Sequence, residues 1–279
     1  MEAITVRKMG FEFPPDLELI FIRDEPGLSY TFVGTWMLLP YLEPYLIRSM
    51  REALPQIASP ELRAEVQGFC AQEGQHYREH ARANDAIRTR KPGFAKLAEI
   101  ERGIAAEYES FTRDRSLLWN LAYAEGFEAL TAAQASTQFD ERVFERMTGP
   151  LRDLMEWHIM EELEHRTVAF DVYRALGGSY LHRLAIGLWA QWHFLSRSLR
   201  LAQCMARADR ESFAAARARR PSRGWLVPYW LRALPRILRI YTPWYDPRRS
   251  PMPPACLEAS ERYTRSAQHV GTPASGLAS

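Results

Sequence analysis

Two stretches far apart in the chain, Glu73-Gly-Gln-His76 and Glu162-Leu-Glu-His165, carry the same Glu-x-x-His pattern inside segments of helical periodicity. On a helix, residues three apart share a face, so each stretch can aim a carboxylate and an imidazole at one point. If both serve one site, two helices must pack with charged faces inward, which a chain tolerates only around a cation. Alone the pattern is weak, because chance supplies about 0.6 such matches in a chain of this composition. His158 sharpens it to His-x-x-x-Glu-x-x-His, with His158, Glu162 and His165 within about 60° of arc and a chance expectation on the order of 0.02.

Each Glu-x-x-His helix follows a helix that offers a further glutamate. Glu43 lies 30 residues before Glu73 in an otherwise apolar run, Trp36 to Leu46, where a lone carboxylate needs a partner or a metal. Glu125 and Glu128 lie one helix before Glu162, and Glu128 is the favoured ligand of the two. That is the layout of a di-iron carboxylate bundle, in which four carboxylates balance two divalent ions. The spacing assigns Glu43, Glu73 and His76 to one iron, and Glu128, Glu162, His165 and His158 to the other, with Glu73 and Glu162 bridging. Manganese or zinc fits the same donors. His80, Glu125 and Glu161 are expected just outside the ligands, and Glu164 on the far side of its helix.

The rest of the chain reads as all-α. Ile, Val and Thr total only 32 of 279 residues, against a sandwich or barrel. Helices are expected over about Ser29 to Leu54 (kinked at Pro40 and Pro44), Ser59 to Thr89, Phe94 to Thr112, Ser116 to Gln138, Pro150 to Gly177 and Ser179 to Ala208. Residues 1–28 read as an extended arm, 29–216 as a ferritin-like four-helix bundle with additional helices, and 217–279 as a Pro/Arg/Trp-rich segment ending in a frayed tail. In that segment Pro221, Pro228, Pro235 and Pro243 are expected to break any helix into short pieces, docked on the bundle or lying on a membrane surface. A net charge of +2 provides no field for nucleic acid. Three unspaced cysteines and an opening without an apolar core point to a reducing, cytoplasmic setting.

The segments around the two motifs, Ser59 to Asn84 and Trp157 to Tyr173, resemble a bacterial family described as predicted metal-dependent hydrolases, as does the opening Val6-Arg7-Lys8-Met9-Gly-Phe-Glu-Phe. The likeness covers most of residues 5–205. One departure is Glu128-Ala-Leu-Thr-Ala, where the family often has Glu-His-Phe-Thr-Ala. The ligand pattern is also similar to that of p-aminobenzoate N-oxygenases, ferritin-like di-iron enzymes with an additional histidine. That resemblance implies His158 as the additional ligand.

Three functions follow as expectations. The first is a di-iron oxygenase that hydroxylates or N-oxygenates a small apolar or aromatic substrate, using O2 and an external electron donor, since no nicotinamide or flavin fingerprint is present. The second is a hydrolase working through a metal-bound water. The third is a ferritin-like iron-binding protein. The oligomeric state is left open, a homodimer included.

Overall fold

The structure, a computed structural model, describes residues 4–219 and 224–267. Among these residues it is all-α, with helices α1 (Pro26–Ala53), α2 (Pro60–Arg88), α3 (Leu97–Asp114), α4 (Leu117–Asp140), α5 (Gly149–His165), α6 (Val168–Ala175), α7 (Tyr180–Ala208), α8 (Arg210–Arg219), α9 (Leu226–Ile240) and α10 (Pro254–Ser266).

Local chemistry sets most helix starts. Ser59 accepts a hydrogen bond from the Leu62 N–H at 3.2 Å, with Pro60 in the first turn of α2. Ser116 does the same for Trp119 at 3.3 Å, and Ser179 for His182 at 3.4 Å. The helix of α1 begins at Pro26 rather than Ser29, because proline is pre-set for the first helical position. It stays helical through Pro40 and Pro44.

Helices α1, α2, α4 and α5 form the bundle that surrounds the motifs. α4 is built from small and apolar residues and is buried on nearly every side, so it lies at the centre. α7 packs along both α1 and α4, α9 covers α4, and α10 lies against α5. Around α9, Ala129, Leu130 and Ala133 of α4 form a small apolar cluster with Ile240 and Tyr245.

Three expectations are corrected. The helix expected to run from Pro150 to Gly177 stops at His165 and restarts at Val168, where the Thr167 carbonyl accepts from Asp171 N–H at 2.9 Å. No glycine or proline marks that break. It coincides with a tertiary contact, Arg166 donating to the Ser250 carbonyl at 3.3 Å. α9 runs unbroken through Pro228 and Pro235. Pro228 sits in the first turn, where its missing N–H costs nothing, and the carbonyl left unpaired by Pro235 belongs to Leu231, a residue 69% exposed to water. Of the last twenty residues, expected to be frayed, 260–266 belong to helix α10, and the last twelve lie outside those described.

The α4–α7 contact is backbone against backbone: a Cβ on Gly126 would sit 2.3 Å from the Gly187 Cα. Gly126→Ala should therefore lower stability by about 1–3 kcal/mol through overpacking. Gly103→Ala, where a Cβ meets nothing within 4 Å, should raise it by about 0.5–1 kcal/mol. Urea midpoints of the two variants test the opposite signs.

Candidate metal centre

Helices α2 and α5 face one another in opposite directions, which pairs their motifs end to end. Glu73 meets His165 (Oε1 to Nε2, 3.3 Å), His76 meets Glu162 (Nδ1 to Oε1, 3.8 Å), and His80 meets His158 (Nε2 to Nδ1, 2.9 Å). Glu43 enters from α1, 3.8 Å from His158 Nδ1, and Glu128 from α4, 3.3 Å from His165 Nε2. All eight side chains are buried, none more than 3% exposed.

These residues fall into two overlapping groups. Glu73, Glu128 and His165 bring ligand atoms together at one end. At the other, Glu43 and His76 join Glu73, while His158 joins His76 and Glu162, or Glu43 and His80. Glu162 lies between the ends, 2.9 Å from His158 and 3.4 Å from His165, and Glu73 belongs to both groups. One assignment is thereby corrected: His158 stands with Glu43 and His76, not with Glu128 and His165. It is seven residues from His165, about 10 Å along a helix axis, so the two rings reach opposite ends of the site.

The donor set fits metal. Both oxygens of Glu43 and of Glu128, Glu73 Oε1, His76 Nδ1 and His80 Nδ1 are buried without a hydrogen-bond partner. Orphaned acceptors converging in a dry core are what a bound cation would satisfy. Electrostatics agree. Burial, then Glu73, pushes Glu43 well above the ordinary carboxylate range, and burial, then Glu162, pushes Glu128 up to about 8. Against its own burial, Glu162 is held well below that range by His165 and His158. Burial opposes the charging of His76 and His165 most, yet carboxylates lift both well above an ordinary imidazole.

A second layer fixes the histidines. His76 Nε2 is 3.0 Å from Glu161, and His165 Nδ1 is 3.0 Å from the Gln72 side-chain oxygen. Both contacts take the outward ring proton and leave the inward nitrogen free to ligate. Glu161 accepts from Trp157 Nε1 (3.1 Å) and from Arg7 (2.9 Å), and Arg7 also grips Glu164 at 2.8 Å. Gln72 donates to Glu164 as well. Glu164 points away from the cluster as expected, but it anchors this layer. Glu125 instead pairs with Arg183 at 3.0 Å, and that arginine also donates to the Ile240 carbonyl. His80 joins the cluster at its edge, grouped with Glu43 and His158 and hydrogen-bonded to His158. Arg7, Gln72 and Trp157 were not singled out from the sequence. Their only signal was their place in the segments that carry the family resemblance.

Glu73→Ala or His165→Ala should empty or halve the bound metal, read as metal per chain. Arg7→Met leaves Glu161 buried without its counter-charge, which should cost about 3–5 kcal/mol and weaken metal binding about 10–100-fold. Raised groups stabilise the metal-free fold fully below their unfolded values, 4.5 for glutamate and 6.5 for histidine, and this is lost as pH climbs through the raised values. Metal needs those same groups deprotonated. The gap in melting temperature between loaded and metal-free protein should therefore widen from pH 6 towards pH 8, by differential scanning fluorimetry.

Comparison with known proteins adds one finding. The family profile that matches is described as predicted metal-dependent hydrolase, over residues 5–250, a span that contains every cluster residue and Arg7. No curated protein and no solved structure matches the chain. The chain belongs to the family of predicted metal-dependent hydrolases.

Proposed function

We propose that this protein is a metalloenzyme with two metal ions in the α1–α2–α4–α5 core, and that it is a ferritin-like di-iron oxygenase. The observation that carries the reading is the donor set: four carboxylates (Glu43, Glu73, Glu128 and Glu162) together with His76, His158, His165 and His80, at most 3% exposed. Four carboxylate charges match two divalent ions, and oxygen-rich donors with imidazole suit iron or manganese. Two cavities, of about 800 and 550 Å3, are lined by none of these eight donors. A closed site favours a reactant as small and apolar as dioxygen.

Iron bound there would supply electrons to dioxygen, whereas zinc or manganese would acidify a water for hydrolysis. The chain's own residues hold the ring protons of His76 and His165 outward through Glu161 and Gln72. Phe69, 4.7 Å from the His165 ring, and Trp157, 4.9 Å from the His76 ring, wall the site against water. Substrate would be small and apolar, and electrons would come from an external donor.

The family's description favours the second reading, a metal-dependent hydrolase. Against it stands the absence, among the described residues at the core, of a base outside the ligand set and its supporting layer: Glu161 is already committed to Arg7, Trp157 and His76. The discriminating experiment loads the metal-free protein with Fe(II) anaerobically, or with Zn(II) or Mn(II), and follows each. The oxygenase reading expects stoichiometric oxygen uptake by the iron form, with a new near-ultraviolet band, and no cleavage of ester, amide or phosphoester substrates by the zinc form. Hydrolysis by the zinc or manganese form, with an iron form inert to oxygen, would establish the family's literal description instead.

A further inference from the structure

Two neighbouring helices carry apolar side chains outward. On α7, Leu181, Leu188, Trp192, Leu195 and Leu199 are 44% to 72% exposed and recur at spacings that keep them on one face. On α9, Val227, Trp230, Leu231, Leu234 and Leu238 are 53% to 69% exposed, while Ala233 and Ile240 on the opposite side are buried against α4. The two helices meet where α7 begins and α9 ends. Tyr180 of α7 donates to the Tyr241 carbonyl at the end of α9 at 2.7 Å, and Leu184 and Leu188 line a narrow groove with Ile240 and Tyr241. Trp244, just past the end of α9, is 66% exposed, so three of the eight tryptophans are more than half exposed on or next to these helices.

The charge of this face is one-sided. α7 and α9 contain Arg183, Arg197, Arg200, Arg207, Arg232, Arg236 and Arg239 and not one Asp or Glu. Some of these arginines are spent inside the protein: Arg183 on Glu125, Arg197 on Glu107, and Arg232 and Arg236 on Glu141 and Asp140. Arg239 lines the cavity beneath α9, and Arg200 and Arg207 of α7 remain exposed beside the apolar stripe.

We infer that the joint α7–α9 face docks on an anionic lipid surface. Leucines and tryptophans with arginine alongside and no carboxylate are the composition of a helix lying in the membrane interface, with indole rings at the headgroup level. A second copy is a poorer occupant. A two-fold contact would set this face against itself, cation against cation with no acidic residue on either helix to pair. Among the described residues no helix is long and apolar enough to cross a membrane, so the contact is peripheral.

The test is co-sedimentation of the full chain with phosphatidylcholine vesicles, with and without phosphatidylglycerol, alongside the Leu231→Glu/Leu234→Glu and Leu195→Glu variants. These residues are exposed, so circular dichroism should show the helices retained. The expected result is binding that requires phosphatidylglycerol, a blue shift of tryptophan fluorescence, and a loss of roughly tenfold or more in affinity in both variants. Binding absent from both vesicle types, or unchanged in folded variants, overturns the inference. A dimer in solution that Leu195→Glu dissociates, without vesicle binding, overturns it too and assigns the face to a second copy.

Discussion

Four carboxylates gathered where water is excluded are the constraint on which the rest of this structure depends. Unneutralised, they would repel one another in a medium that screens poorly, and the core could close only by keeping protons on them. The upward displacement of Glu43 and Glu128 is that compromise in metal-free form. Histidines relieve part of it: Glu162, between His158 and His165, goes the other way. Cations in the same space would relieve the remainder, and the orphaned oxygens of Glu43 and Glu128 mark where they are needed.

The architecture supports this concentration of charge from outside. Arg7 on the N-terminal arm reaches α5 to hold Glu161 and Glu164, and is itself held by Ser260 and Thr264 of α10 at 2.9 Å each. Segments from the two ends of the chain thus meet behind the same ligand helix. The arm also lays Phe11 against Trp157, and its backbone N–H groups at Gly10 and Phe11 donate to Glu79 on α2. The extended arm thus holds Glu161 and Gln72, the outer hydrogen-bond partners of His76 and His165.

Much of this was legible in the sequence, and the reason is periodicity. The helices and the faces of Glu73, His76, Glu162 and His165 follow from a 3.6-residue repeat, and Glu43 stands out because its neighbours are apolar. What escaped is what periodicity does not encode. The partner of Glu161 lies 154 residues away, so nothing local announces Arg7. The grouping of His158 with Glu43 depends on α2 and α5 running in opposite directions, which no single helix reveals. The break between α5 and α6 accompanies a contact with Ser250, and α9 survives its prolines because one sits in the first turn and the other faces water.

The most direct test of the dinuclear site is a crystal structure of metal-soaked protein with anomalous scattering recorded at the metal edge. The account predicts two peaks inside the bundle, one among Glu43, His76 and His158 and one among Glu73, Glu128 and His165, with Glu162 between them. A single peak, or peaks away from these side chains, would contradict it.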